Sequence, residues 1–123
     1  MAKILVIDDD DTVRLSLRLA LEDADHDVDV AADGEEGILR MRANPADLVV
    51  TDIFMPEKEG LETIDEIRRA FPATKIIAIS GGGRMDPNAY LEISQSVGAD
   101  RALNKPFDIK LLLDTVRELL QAG

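Results

Sequence analysis

Three runs of apolar residues, Ile4-Leu5-Val6-Ile7, Leu48-Val49-Val50 and Ile76-Ile77-Ala78-Ile79, constrain this chain more than any other feature. Each is too short for a helix, and none alternates with polar residues as a half-solvated strand would. Strands with uninterrupted apolar sequence are buried on both faces, as in a parallel sheet covered by helices on each side. The runs also end in polar groups: Asp8 and Asp9 after the first, Thr51-Asp52 after the second, Ser80 after the third. Sheets of this kind place their ligands outside the carboxyl ends of the strands. Asp52, followed by Ile53-Phe54-Met55-Pro56, is therefore read as the reactive centre.

Helical periodicity fills the intervals. Asp10 or Asp11 can cap a first helix whose inner face carries Val13, Leu17, Ala20, Leu21 and Ala24. Val28-Asp29-Val30-Ala31 is a short second strand, and Asp33-Gly34 turns into a helix with Ile38 and Met41, stopped by Asn44-Pro45. Leu61, Ile64, Ile67 and Ala70 mark a third helix ending before Pro72. After Gly81-Gly82-Gly83 a fourth helix is expected from about Asp86 to Val97, with Pro87 in its first turn and Gly98 as its stop. Arg101-Ala102-Leu103-Asn104 is a fifth strand, Lys105-Pro106 a break, and Leu112, Leu113, Val116, Leu119 and Leu120 line a fifth helix. Strand and helix thus alternate five times, the pattern of an α/β, doubly wound, five-stranded parallel sheet. The 123 residues are expected to form one domain, 1–123, with no output domain in the chain.

Charge narrows the function. Fourteen Lys and Arg against 25 Asp and Glu give a net charge of −11, which opposes binding to nucleic acid or to an anionic membrane surface. Without cysteine there is no disulfide, thiolate metal site or Cys nucleophile. The apolar stretch before Asp8 is too short for a signal peptide, and no run approaches a membrane span, so a cytoplasmic location is expected.

In a parallel sheet the strand ends meet at one edge, which here would gather Asp8, Asp9, Asp52, Ser80 and Lys105. Two carboxylates at ~4 Å repel by roughly 4 kcal/mol at an effective dielectric near 20. A proton or a cation must relieve that repulsion. Oxygen-only donors suit a hard divalent ion, with Mg²⁺ the expected cofactor. A carboxylate beside such an ion can attack phosphorus and form an aspartyl phosphate. Lys105 can pair a phosphoryl oxygen and Ser80 can donate a hydrogen bond to another.

These residues, Ile7-Asp8-Asp9, Asp52 with Met55-Pro56 and Gly60, Ser80, and Lys105-Pro106-Phe107, resemble the receiver domain of two-component response regulators over essentially the whole chain. The resemblance implies the flavodoxin-like (βα)5 fold with strand order 2-1-3-4-5. It implies that Asp52 is the phosphoacceptor and that Asp8, Asp9, Asp52 and the backbone carbonyl of Phe54 bind Mg²⁺. Ser80 is the implied switch hydroxyl, Lys105 the phosphate-sensing lysine, and Lys105–Pro106 a cis bond. The implied partners are a histidine kinase or histidine phosphotransfer protein and a downstream protein, met on the fourth helix, fifth strand and fifth helix. A monomer or a phosphorylation-linked homodimer is expected, with no enzymatic activity beyond self-phosphorylation and self-dephosphorylation.

Some positions depart from the family pattern. Ala102 stands where an aromatic switch residue is common, and the loop after Ser80, Gly81-Gly82-Gly83-Arg84-Met85, is longer than usual. Phe54 and Gly82 offer no polar side chain to orient an attacking water, so slow self-dephosphorylation is expected. A phosphoryl half-life as short as in relatives with Gln or Asn there would contradict it.

Two other functions compete. Asp8-Asp9-Asp10-Asp11-Thr12 also reads as the DxDxT nucleophile motif of haloacid-dehalogenase-like phosphatases, with Asp8 attacking. That reading leaves Asp52-x-x-Met-Pro unexplained. A flavodoxin-like cofactor binder would need Ser, Thr and Gly N–H groups in the first loop, where this chain has four acids. Ordinary roles suffice for the rest. Asp10 and Asp11 are a cap and a solvated charge, His26 a surface loop residue, the glycine triplet a hinge, and Met55 and Tyr90 packing residues.

Overall fold

The computed structural model describes residues 2–53, 60–80, 92, 95–96, 98–104 and 107–122, with Ser80 and Ala122 described through their backbone alone. Its strands are β1 (Lys3–Ile7), β2 (Asp27–Ala31), β3 (Leu48–Asp52), β4 (Lys75–Ser80) and β5 (Arg101–Asn104). Its helices are α1 (Asp11–Asp23), α2 (Gly34–Ala43), α3 (Gly60–Ala70) and a final helix (Ile109–Ala122). The strands pair in parallel in the order β2-β1-β3-β4-β5, the order the resemblance implies. The expected helix over 86–97 falls largely outside the described residues, where Glu92, Gln95 and Ser96 are helical.

The apolar runs are explained by parity. Successive strand side chains point to opposite faces of a sheet. Ile4, Val6, Leu48, Val50, Ile77 and Ile79 face one side, where Leu17 and Leu21 of α1 and Leu112, Val116 and Leu119 of the final helix cover them. Leu5, Ile7, Val49, Ile76 and Ala78 face the other, against Ile38 and Met41 of α2 and Ile64 and Ile67 of α3. An alternating sequence would have left one of these layers without a core. The edge strands β2 and β5 are exposed at their first residues, where no neighbour completes the sheet.

Local boundaries follow their side chains. Asp10 caps α1, its carboxylate accepting from the Thr12 and Val13 N–H groups at 2.8 and 3.3 Å. Asp33 caps α2 by accepting from Glu36 N–H at 2.8 Å. Two expected core positions are instead exposed, Ala24 and Ala70. α1 ends at Asp23 because Asp25 takes a left-handed φ of 69°, and the N–H groups of Asp25 and His26 close back on the Glu22 and Leu21 carbonyls. This is the usual closing geometry of a helix end, here on an aspartate that tolerates positive φ where glycine is commoner. Ala70 is the last residue of α3, and it is the following Phe71 that packs against the core.

His26 lies in the loop between α1 and β2, as expected, though not fully at the surface. It is half-buried under the N-terminal edge of the sheet, and its Nδ1 accepts from Ala2 N–H at 3.3 Å. Burial lowers its pKa from the usual histidine value, the positive N-terminus lowers it further, and Asp25 opposes both.

Candidate functional site

Parallel register brings the acids together. β1 and β3 pair Ile7 with Thr51, so the next residues, Asp8 and Asp52, emerge side by side at the carboxyl edge. Asp8 is 1 % exposed, Asp52 6 % and Asp9 exposed, and one carboxylate oxygen from each lies within 4.8 Å of the others. In β4, Asp52 pairs with Ile79, which sets the backbone of Ser80 one step further along the same edge. Ser80 pairs in turn with Asn104, the residue before Lys105. Phe54, Met55-Pro56, the Gly81–Met85 loop, Tyr90 and Lys105-Pro106, with its expected cis bond, lie outside the described residues.

The loop after β1 is held from several directions. Asp8 N–H donates to the Ala31 carbonyl at 3.1 Å, which ties the loop to the end of β2. Asp8 Oδ1 accepts from Asp10 N–H at 2.9 Å. Asp10 is committed to its cap, and Asp11, 91 % exposed, pairs with Arg14, in keeping with the ordinary roles expected of both.

Gly60, read from sequence only as part of a family pattern, has a steric reason. A Cβ there would lie 2.2 Å from Ile53 Cα and 2.4 Å from the Asp52 carbonyl oxygen. The first turn of α3 thus rests directly on the backbone that presents Asp52, a contact open only to a residue without Cβ. Thr51, fully buried, donates its hydroxyl to the same carbonyl at 3.1 Å. Ala102 is partly buried against the layer that includes α2 and α3.

The arrangement is an electrostatic problem with a chemical use. Two buried carboxylates and a third at the rim repel one another, and a cation among them would relieve that repulsion. The donor set is all oxygen, with no histidine or cysteine, as hard divalent cations prefer. A groove of about 520 Å³ elsewhere, lined by residues that include His26, Lys75, Leu119 and Leu120, lies at the opposite edge and contains none of the candidate residues.

Comparison with known proteins agrees with this geometry. Response regulator ArlR of Staphylococcus saprophyticus is 34 % identical over 121 residues, covering 98 % of this chain and 53 % of its own length. The chain thus spans about half the length of the curated relatives it matches. Among solved structures, the chemotaxis protein CheY4 of Vibrio cholerae superposes with a TM-score of 0.86 at 30 % identity, covering 97 % of this chain and 98 % of the other. A CheY-like receiver domain protein of Methanospirillum hungatei gives 0.90 at 29 % identity, covering 99 % and 95 %. Residues 4–117 match the family model described as the response regulator receiver domain, and with its acids at the strand ends and its 2-1-3-4-5 sheet the chain belongs to that family.

Proposed function

We propose that this chain is a phosphorylation-dependent signalling switch in which Asp52 accepts a phosphoryl group from a histidine kinase or histidine phosphotransfer protein. The observation that carries the reading is the convergence of the Asp8, Asp9 and Asp52 carboxylates within 4.8 Å. Those three residues fit Mg²⁺ and would hold it, with the Phe54 carbonyl added by family resemblance. When bound, the ion neutralises charge on the cluster and on the transferring phosphoryl group.

Asp52 is the nucleophile: a carboxylate oxygen forms the bond to phosphorus while the donor's N–P bond breaks and its electron pair returns to the imidazole. Asp8 is the more enclosed acid, and one of its oxygens is engaged by Asp10 N–H. Ser80 is assigned the hydroxyl that donates to a phosphoryl oxygen, and Lys105 the ammonium that pairs with another. Binding phosphate more tightly in one conformation than in another would shift the population between them. The output surface is assigned to the segment over 86–97, β5 and the final helix, read by a downstream protein or by a second phosphorylated copy. No turnover of a separate substrate is part of this reading. No helix among the described residues is long and apolar enough to cross a membrane, and a cytoplasmic site of action fits a kinase donor.

The test is intact-protein mass after incubation with acetyl phosphate, with and without Mg²⁺. Wild type should gain one phosphoryl group only with Mg²⁺, and Asp52→Asn should gain none. An adduct that survives Asp52→Asn and disappears in Asp8→Asn would move the nucleophile and favour the phosphatase alternative, for which neither the site nor the relatives give support. Absence of any adduct from acetyl phosphate and from a phosphorylated histidine donor would sink the switch reading.

A further inference from the structure

Arg14 stands in the first turn of α1, where a cation opposes the positive end of the helix dipole. Helix stability therefore does not explain its presence there. Helical side chains lean toward the N-terminus. That of Arg14 reaches back over the end of α1, where Nη1 donates to the Asp8 carbonyl oxygen at 2.7 Å and Nη2 pairs with the Asp11 carboxylate. The side chain is only 18 % exposed, whereas its Asp11 partner is 91 % exposed. A pair with so solvated an acid contributes little. The bond to Asp8 is the enclosed one, and a bond from a charged donor is stronger than a neutral one.

The Asp8 carbonyl belongs to the peptide linking two members of the acidic cluster. Its neighbours are already anchored: Asp8 N–H on Ala31, Asp8 Oδ1 on Asp10 N–H, Asp10 on the helix cap. Arg14 fixes the remaining freedom, the rotation of the 8–9 peptide plane, which sets where the exposed Asp9 side chain leaves the backbone. We propose that Arg14 is a positioning residue for the acidic site, holding the Asp8–Asp9 peptide so that both carboxylates converge with Asp52 on one divalent cation. This rests on the reading of that cluster as the Mg²⁺ and phosphoacceptor site.

A plain counter-charge role makes the opposite prediction. If Arg14 only offset the acids, its removal would leave the cluster more negative and tighten binding of Mg²⁺. If it positions them, removal weakens binding, because outer-shell partners of metal ligands commonly contribute about tenfold or more in affinity.

The experiment is calorimetric titration of the unphosphorylated full chain with Mg²⁺, with urea unfolding of each variant alongside. Arg14→Met, which keeps the length and loses both charge and donors, is expected to bind Mg²⁺ about tenfold more weakly. Arg14→Lys, which restores a charged donor, is expected to recover most of that loss. Arg14→Gln, neutral but able to donate, carries the same sign in smaller measure and serves if Arg14→Met does not fold. A neutral variant that folds as wild type and binds Mg²⁺ equally or more tightly would overturn the proposal while leaving the site assignment standing. Wild-type binding of Mg²⁺ that Asp52→Asn leaves untouched would sink the site assignment itself.

Discussion

The two edges of the sheet gather their polar groups for different ends. At the carboxyl edge, Asp8, Asp9 and Asp52 are gathered although they repel, and two of them are buried. At the amino edge, charges and backbone groups are matched. Asp47 accepts from Lys3 N–H at 2.9 Å through its carboxylate and from Lys75 N–H at 3.0 Å through its carbonyl. Thr74 donates its hydroxyl to the Ala46 carbonyl at 3.1 Å.

Arg68 completes that edge. Its guanidinium donates to the carbonyls of Gly98, Pro72 and Thr74 and to the Asp100 carboxylate, at 2.7 to 3.0 Å. Asp100 in turn accepts from Ile76 N–H at 2.8 Å. The end of α3, the start of β4 and the approach to β5 are thereby joined by one side chain. Gly98, at φ +127°, lets that side chain pass, since a Cβ would meet Arg68 Cγ at 2.9 Å. The lesson is a division of labour: the amino edge, tied together by Arg68, and the two apolar layers hold the fold, while the carboxyl edge gathers like charges whose mutual repulsion a cation would relieve.

Gly60→Ala should break the contrast most severely, because the new methyl collides with backbone that presents Asp52 rather than with a side chain that can turn away. Overpacking of this kind costs about 3 kcal/mol. The urea midpoint should fall, and phosphorylation by acetyl phosphate should fall with it in whatever fraction remains folded. A Gly60→Ala protein with wild-type stability would show that α3 can lift from β3 at little cost.

Arg68→Ala attacks only the matched edge. Loss of these hydrogen bonds at a partly exposed site should cost about 2 kcal/mol, read as a lower urea midpoint at unchanged slope. The Mg²⁺-dependent phosphoryl adduct should still form, since no Arg68 contact touches the acids. Loss of the adduct in folded Arg68→Ala would mean that the edges are coupled and that the division drawn above is false.

The smallest effect belongs to His26. Its folded pKa lies below the unfolded one, so its contribution is fully present above the ordinary histidine pKa and is lost as pH falls through the lowered folded value. Protonation also turns the Nδ1 that accepts from Ala2 N–H into a donor. Stability should decline slightly on acidification below about pH 6.5, and His26→Gln should flatten that part of the profile. An identical slope in the variant would assign the decline to the carboxylates.

Much of this molecule is legible in its sequence because the information is local or periodic. The unbroken apolar runs require strands buried on both faces, the helical spacings of Leu17 with Leu21 and Ile64 with Ile67 mark the covering faces, and Asp10 and Asp33 signal their caps. The acids of the site are visible for the same reason, since Asp8 and Asp9 follow β1 and Asp52 is the last residue of β3. The turn at Asp25 is not visible, because an aspartate at positive φ looks like any other acid in an acidic stretch.

What tertiary structure alone decided are relations between residues distant in sequence. The parallel register that sets Asp8 beside Asp52, the close approach that requires Gly60, and the reach of Arg68 from α3 to Gly98 and Asp100 all depend on how separate elements pack. Arg14 lies close to Asp8 in sequence, yet its role depends on a loop whose path is fixed by Ala31 of the neighbouring strand. Periodicity specifies which face a side chain turns inward. It carries no record of what that side chain will meet there, and the distances between groups brought together by packing are what make this edge a site.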